Sequence, residues 1–404
     1  MILVLNSGSS SLKFKLFAWE DLSPLARGLI ERIGKPQAKA HLQTFRGEKL
    51  ERTLPLRDHR EALELMEALL KESGLAQGAR DLQAIGHRVV HGGEHFREPI
   101  LLNAHVLQEL KDLIPLAPLH NPANLLGIEL ALEHAPNVPQ VAVFDTAFHR
   151  TLPPRAYLYA LPYQIYERYQ VRRYGFHGLS HAYVAREAAR FLGRPLSELK
   201  LITLHLGNGA SATAILHGQS VDTSMGFTPL EGLIMGTRCG DLDPAVIFYL
   251  AREHGYSYSR LEEMLNRESG LRGLAGDNDM RLLTQRATQG DARARLAIEM
   301  FCYRIKKYIG AYWAVLNGAD ALVFTGGIGE NSSLVRAKAC EGLTALGIQL
   351  DPEKNQRFSG QKGDVSASHS QVKILVIPTN EELEIARKTK ALVPLPSAKP
   401  GPET

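Results

Sequence analysis

The pattern that most constrains this chain is an apolar run followed by a turn of small residues and then an alternating run. Ile2–Leu5 is uniformly apolar, and Leu12–Phe17 alternates apolar residues with lysines. A short, fully apolar run is typical of a strand buried on both faces, whereas alternation indicates a strand with one solvated face. Met1–Phe17 therefore predicts two strands joined by a tight turn.

The predicted turn, Asn6–Ser11, has two interpretations. It contains four serines and one glycine, and Lys13 follows closely. Small residues allow the main chain to approach a phosphate, and successive backbone N–H groups form an anion-binding concavity. An ordinary polar hairpin turn has the same composition. This segment alone leaves both interpretations open.

A second copy of the pattern favours phosphate binding. Leu201–Leu216 repeats the apolar run and the small turn, and Val141–Phe144 and Ala321–Phe324 form a second matching pair of apolar segments. Such self-similarity indicates a duplication. We expect the turns of two duplicated halves to face each other across one cleft, as suits a nucleotide with several phosphates. The aligned positions are Leu3 with Leu204, Leu5 with Leu206, Gly8 with Gly209 and Ser10 with Ser211.

The order of the predicted elements indicates an α/β protein, because strands alternate with helices along the chain. A length of 404 residues is enough for two or three domains with real cores. The net charge of +4 is not concentrated in a long block, so neither a nucleic acid nor a membrane surface is an expected partner.

Composition also bears on the expected compartment. The apolar runs are too short to span a bilayer, and the N-terminus lacks the features of an export signal. Cys239, Cys302 and Cys340 are widely spaced, which gives neither a disulfide framework nor a zinc motif. These observations fit a reducing, cytoplasmic location.

Two arginines lie among glycines, a context that favours a fixed backbone position. Arg88 lies between Gly86 and Gly93, and Arg238 between Gly236 and Gly240. Two such guanidiniums could bind a carboxylate or a transferring phosphoryl group in bidentate fashion. The alternative for either arginine is a surface ion pair.

Gly326–Asn331 lies between an apolar strand and a predicted helix. N–H groups and the helix dipole bind phosphate in this setting, although a plain tight turn has the same signature. The chain has no Gly-x-x-x-x-Gly-Lys-Ser/Thr segment, which argues against a P-loop enzyme.

The histidines do not favour a metal centre. His87, His91 and His95 have helical spacing, but the intervening valines and glycines indicate a strand and a turn. His177, His205 and His120 are interpreted instead as donors to phosphate oxygens. A buried histidine with satisfied hydrogen bonds is the alternative for each.

Carboxylates and helix starts supply the remaining candidates. Asp145 ends a predicted buried strand, where it is either a cap or a ligand-facing group. Asn121 is predicted to cap a helix. Thr379 and Glu382 have the spacing of a capping box, which leaves Glu381 free to bind the water shell of Mg²⁺.

Together these motifs resemble the acetate kinase (acetokinase) family of carboxylate kinases, in order and over nearly the whole chain. The matching motifs are Asn6–Lys13, His87–Gly93, Asp145–His149, Arg173–Gly178, His205–Gly209, Gly236–Asp241, Gly326–Asn331 and Thr379–Glu382.

The resemblance implies two duplicated α/β domains of the acetate and sugar kinase/Hsp70/actin (ribonuclease H-like) type with an interdomain cleft. The N-terminal domain would comprise 1–148 plus a returning helix in 380–404, and the nucleotide-binding domain 149–379. The family carries out reversible, Mg-dependent phosphoryl transfer from ATP to acetate by direct in-line attack, giving acetyl phosphate and ADP. Mg²⁺, or Mn²⁺ in its place, and a homodimer are also implied.

The resemblance further implies residue roles. Asp145, Arg88, Arg238 and His177 would be catalytic, with Asp145 orienting Arg88. His120, His205, Asn208 and Gly209 would bind phosphate. Arg88, Val90, Leu119, Phe176 and Pro229 would bind the acid, and Asn6 and Glu381 the metal. The nucleotide-binding set would be Lys13, Gly207, Asp279, Met280, Arg281, Gly326, Gly327, Ile328, Gly329 and Asn331.

Other functions remain open at this point. A propionate or butyrate kinase differs in its substrate by only one or two methylenes. A sugar kinase of the same fold would need a base near a hydroxyl group, whereas a carboxylic acid is already ionised at neutral pH. A non-catalytic, actin- or Hsp70-like ATPase is the alternative from another class.

Overall fold

A computed structural model describes residues 1–358 and 360–393. The chain divides into two compact units, and each is described by itself. The first contains Met1–Ala147 and the described residues from Asn380 onward, and the second contains Phe148–Thr379. Residues 394–404, which sequence analysis assigned to the first domain, lie outside the described part.

The first unit is built on an eight-stranded sheet with the order β5-β4-β3-β2-β1-β6-β8-β7. β1 pairs with β2 antiparallel and with β6 parallel, and β6 pairs with β8 parallel. Helices α1 and α3 cover the apolar side chains of β1 and β2 in one continuous core. The strands are β1 (Ile2–Gly8), β2 (Ser11–Phe17), β3 (Pro24–Glu31), β4 (Ala38–Thr44), β5 (Lys49–Leu54), β6 (Ala84–Val89), β7 (Ile100–Leu101) and β8 (Gln140–Phe144), and the helices are α1 (His59–Glu72), α2 (Ala104–Asp112) and α3 (Asn121–His134).

The second unit is built on a six-stranded sheet with the order β11-β10-β9-β12-β14-β13. Its strands are β9 (Lys200–Leu206), β10 (Ala210–Leu216), β11 (Gln219–Thr223), β12 (Ala321–Thr325), β13 (Gly363–Asp364) and β14 (Lys373–Val376). Its helices are α4 (Pro154–Tyr157), α5 (Tyr163–Tyr169), α6 (Gly178–Leu192), α7 (Ala245–His254), α8 (Tyr258–Glu263), α9 (Gly270–Ala275), α10 (Met280–Thr288), α11 (Ala292–Leu316), α12 (Gly326–Asn331), α13 (Ser333–Cys340) and α14 (Pro352–Arg357). The last helix of the chain, α15 (Glu381–Leu392), belongs to the first unit.

The predicted strand–turn–strand repeats are confirmed, because β1–β2 and β9–β10 are both antiparallel hairpins. Each first strand also has a parallel neighbour on its other side, β6 beside β1 and β12 beside β9. The predicted match between Val141–Phe144 and Ala321–Phe324 was wrong, because the two segments occupy different positions in their sheets. Ala321–Phe324 lies in β12, next to the hairpin, whereas Val141–Phe144 lies in β8, which β6 separates from β1. The topological equivalent of β12 is therefore β6.

Two predicted helix starts are also wrong by one residue. The side chain of Asn380, not Thr379, caps α15 by accepting from the N–H of Leu383. The backbone N–H of Thr379 donates to Glu330 Oε1 at 3.1 Å, so the predicted capping box does not form. At α3 the capping position is His120, and Asn121 is already helical.

Sequence analysis placed Gly326–Asn331 between a strand and a helix, as a phosphate-binding segment or a plain tight turn. The segment forms the short helix α12, and α13 follows almost immediately. Among the residues that the structure describes, no helix is both long enough and apolar enough to cross a membrane.

Candidate functional site

In the first unit, Arg88 and Asp145 form a bidentate ion pair. Arg88 Nε donates to Asp145 Oδ1 at 3.1 Å, and its Nη2 donates to Oδ2 at 2.6 Å. The pair forms because β6 and β8 are parallel neighbours, which brings their carboxyl-terminal ends together. The Asp145 side chain is almost completely buried. Bidentate pairing fixes the plane of the guanidinium as well as its distance from the carboxylate.

The charges around Arg88 extend to α15. Burial alone would lower the pKa of Arg88, but the carboxylates of Asp145 and then Glu381 outweigh burial and raise it. Glu381 Oε1 is buried, and no described residue donates a hydrogen bond to it. A buried carboxylate oxygen without a donor is costly unless a cation or another donor reaches it.

Two asparagines of α3 hold the backbone that follows Arg88, and sequence analysis missed this role. Asn124 Oδ1 accepts from the N–H of Val90 at 3.0 Å, while Asn124 Nδ2 donates to the carbonyl of Ser7 at 2.7 Å. Asn121 forms two hydrogen bonds with the backbone of His91: its Oδ1 accepts from the N–H at 3.2 Å, and its Nδ2 donates to the carbonyl at 3.1 Å. The only sequence signal was a pair of asparagines spaced by one helical turn.

In the second unit, the turn after β9 lies against two of the predicted catalytic groups. A Cβ placed on Gly209 would lie 3.2 Å from His177 Nε2 and 3.6 Å from Arg238 Nη1. The same turn is bonded to the loop of Arg238, because the N–H of Gly236 donates to the carbonyl of Asn208 at 2.9 Å. Local sequence spacing could not show that these five residues meet.

The Arg238 guanidinium is mostly buried without an acidic partner. Its Nη1 donates to the carbonyl of Pro229 at 3.2 Å, and no carboxylate within 1–358 and 360–393 forms an ion pair with it. Burial lowers the pKa of Arg238. A buried cation without a counter-charge is unfavourable in the free protein and favours an anionic ligand.

His177 has a backbone conformation that non-glycine residues rarely adopt. Its φ angle is 55°, at the position just before α6. Such strain persists only where neighbouring contacts enforce it, and it is common at functional sites. His177 Nδ1 lies 2.9 Å from Ser211 Oγ, and its ring stacks on His205 with a centroid distance of 4.2 Å.

A chain of polar contacts joins His205 to α12. His205 Nδ1 lies 2.7 Å from Ser180 Oγ, and this hydroxyl donates to Thr379 Oγ1 at 2.8 Å. Glu330 Oε1 accepts from the N–H groups of Thr379 and Gly326. The glycine-rich helix and His205 are therefore parts of one hydrogen-bonded assembly.

Three of the residues predicted to contact the nucleotide are bonded or packed within the second unit, and a fourth is exposed in the first. Asp279 caps α10 and pairs with Arg281 through Oδ2 at 2.6 Å, which lowers the pKa of Asp279 to about 2. The Met280 side chain is buried, so it packs in the core. Lys13 lies opposite Asn6 in the first hairpin, and its side chain is exposed.

The apolar residues predicted to bind the acid divide between the units. Val90 and Leu119 belong to the first unit, and Phe176 and Pro229 to the second. Phe176 is buried, and its carbonyl accepts from His149 Nε2 at 2.9 Å. Leu119 is 47% exposed in the first unit.

Comparisons with known proteins agree with one another. The family model described as "Acetokinase family" matches residues 1–387. An acetate kinase of Syntrophobacter fumaroxidans is 57% identical over 395 residues, which is 96% of each chain. The crystal structure of Porphyromonas gingivalis acetate kinase is 42% identical with a TM-score of 0.92 and covers 97% of this chain and 99% of that one. A propionate kinase from Francisella tularensis is 43% identical, with the same TM-score and the same coverage.

These matches identify the chain as a phosphotransferase with a carboxyl group as acceptor. It belongs to the acetokinase family. Membership of this family implies ATP as a substrate and a divalent metal ion.

The buried His87 predicts a pH dependence of stability. Burial lowers its pKa to about 4, although its hydrogen bond to Gln140 opposes the shift. As the pH falls from about 6.5 to about 4, the unfolded chain binds a proton at this residue and the folded chain does not. The free energy of unfolding therefore decreases by up to ~1.4 kcal/mol per pH unit from this histidine. We expect His87→Asn to remove this part of the slope.

Urea unfolding from about pH 7 to about pH 5 measures that slope. His95, whose side chain is exposed, supplies the matched control His95→Asn. Equal slopes for the wild type and His87→Asn would contradict the prediction, whatever the absolute stability of the variant.

Proposed function

We propose that this chain is an acetate kinase that transfers the terminal phosphoryl group of ATP to acetate, reversibly and with Mg²⁺. The observation that carries the proposal is the arrangement around Gly209. A buried guanidinium without an acidic partner and an imidazole nitrogen both lie against a glycine turn, where a phosphoryl oxygen can approach the backbone closely.

The chemistry needs no general base, because acetate is already ionised at neutral pH. The protein has to position the two reactants in line and neutralise charge on the phosphoryl oxygens. We assign Arg88 and Arg238 to holding acetate and the phosphoryl group, and His177 to stabilising the transition state. Asp145 orients Arg88 through the bidentate pair rather than by abstracting a proton.

The metal would be held by Asn6 and Glu381. The buried Oε1 of Glu381, to which no described residue donates, fits a cation or its water shell. Asn6 lies near the end of β1 and is half-buried. Oxygen ligands of this kind suit Mg²⁺, with Mn²⁺ as the alternative. The bound ion would supply charge neutralisation at the phosphate oxygens.

The remaining assignments concern phosphate and nucleotide. We propose that His120, His205, Asn208 and Gly209 contact phosphate. For the nucleotide, the open space above Gly327 and the hydrogen-bonded link from α12 to His205 support the glycine-rich helix as its main contact. The proposed nucleotide set is Lys13, Gly207, Asp279, Met280 through its backbone, Arg281, Gly326, Gly327, Ile328, Gly329 and Asn331.

A second candidate is propionate as the preferred acid. A solved propionate kinase matches this chain as closely in structure as the solved acetate kinase does. One methylene changes discrimination by only ~1–3 kcal/mol, so both acids can be substrates of one enzyme. Val90, Leu119, Phe176 and Pro229 are the proposed contacts for the alkyl group.

For substrate choice, we predict that acetate gives the highest kcat/KM among acetate, propionate and butyrate. ADP release measured with each acid, with and without Mg²⁺, tests it. ATP hydrolysis that is independent of any acid would instead favour an actin- or Hsp70-like ATPase. A higher kcat/KM with propionate would replace acetate as the assigned substrate.

A further prediction concerns the role of Arg238 in catalysis. We expect Arg238→Ala to lower kcat by roughly 10²–10⁴, the scale for losing a preorganised donor to developing charge. Arg272→Ala is the control, because that side chain is exposed on nearby α9. Circular dichroism checks that both variants fold. Near-normal turnover of Arg238→Ala would remove the role assigned to this residue.

We also propose that the chain forms a homodimer through α7. All ten residues of this helix are described, and none of them is buried. Its large apolar side chains are included, since Phe248 is 60% and Tyr249 51% exposed. An apolar helix with no buried side chain is typical of an interface.

Sedimentation velocity should give twice the chain mass. Phe248→Asp should give monomers, whereas Phe45→Asp, at a similarly exposed position of the first unit, should not.

A further inference from the structure

The turn that carries Arg238 is attached to a neighbouring segment by its backbone. The carbonyl of Met235 accepts from the N–H of Leu271 at 2.9 Å. The carbonyl of Gly236 accepts from the N–H of Arg272 at 2.9 Å. Among the described residues, the guanidinium itself donates only to a backbone carbonyl and to a methionine sulfur. Its position therefore depends mainly on where this turn is held.

The segment that holds the turn includes a π-helix, Met264–Glu268. The wider turns of a π-helix leave backbone groups without their usual intrahelical partners, and such segments are frequent at functional sites. Here the carbonyl of Leu265 accepts from the N–H of Cys239 at 3.1 Å. The carbonyl of Asn266 accepts from Thr237 Oγ1 at 2.9 Å.

Gly270 lies at the closest approach of the two segments. Its φ angle is +62°, and a Cβ at this position would lie 2.1 Å from the carbonyl oxygen of Met235 and 2.7 Å from that of Arg238. Backbone atoms cannot rotate away as the end of a side chain can. Any larger residue at this position must displace the turn.

We propose that Gly270 and Thr237 are positioning residues for the phosphoryl-transfer reaction, because they hold the Arg238 turn on the Met264–Ala275 segment. This inference rests on the role of Arg238 in the proposed function. Gly270 permits the close approach of the two backbones, and the Thr237 hydroxyl fixes the turn on the π-helix. Neither residue needs to touch a substrate.

Four variants test the inference by steady-state kinetics with ATP and acetate. Gly270→Ala should lower kcat by about 10²-fold, the cost of displacing a catalytic group by about 1 Å. Gly276→Ala is the matched control, since its φ is +78° but a Cβ there would meet nothing within 4 Å. Thr237→Val should lower kcat by roughly 2- to 10-fold through loss of one hydrogen bond, and Thr237→Ser should restore it.

A double variant separates positioning from general damage to the fold. If Gly270 acts through Arg238, then Gly270→Ala should cause no further loss of kcat in an Arg238→Ala background. A further loss as large as that in the wild-type background would overturn the inference. Normal kcat in both Gly270→Ala and Thr237→Val would also overturn it. If Gly270→Ala does not fold, the Val and Ser variants at Thr237 decide the question.

The single variant Arg238→Ala distinguishes the two levels of the argument. Loss of turnover in Arg238→Ala together with normal turnover in Gly270→Ala and Thr237→Val would refute only the positioning role. Normal turnover in Arg238→Ala would refute the role of this arginine in the proposed function, and the inference would fail with it.

Discussion

The burial of positive charge is the constraint on which the candidate site depends. Arg88 is neutralised within the protein, because Asp145 binds it in bidentate fashion and Glu381 adds a second negative charge nearby. Most of the Arg238 side chain is buried, and it lies against a carbonyl and a thioether instead of a carboxylate. An arginine that is already paired in the free protein is held in a fixed orientation. A buried cation without a counter-charge is stabilised most when an anion binds to it. The two arginines therefore make different contributions even though their sequence contexts look alike.

Both units fix their arginine through the backbone around it. In the first unit, the amides of Asn121 and Asn124 bind the main chain immediately after Arg88. In the second, the π-helix and α9 bind the main chain around Arg238. Anchoring the backbone that carries a long side chain removes part of the conformational entropy that ligand binding would otherwise cost.

Periodic patterns and local composition predicted much of this structure. The hairpins and the α/β class both follow from residues close together in sequence. The failures involve distant partners. Thr379 and Glu382 have the spacing of a capping box, but Glu330 takes the N–H of Thr379 from 49 positions away. No local pattern shows that Asn124 bridges Val90 and Ser7 or that Gly270 lies against Arg238.

The orientation of His177 shows how buried neutral groups can prepare a donor. Ser211 Oγ lies 2.9 Å from His177 Nδ1 and 2.7 Å from His181 Nε2, and burial keeps the pKa of His181 well below its usual value. A hydroxyl has one proton, so it donates to one ring and accepts from the other. Phosphoryl oxygens only accept hydrogen bonds, so the phosphate binding that we propose at this turn would select the arrangement in which Ser211 donates to His177 Nδ1. In that arrangement Nε2 would carry the proton and face Gly209, where it would serve as the donor to the phosphoryl group in the proposed reaction.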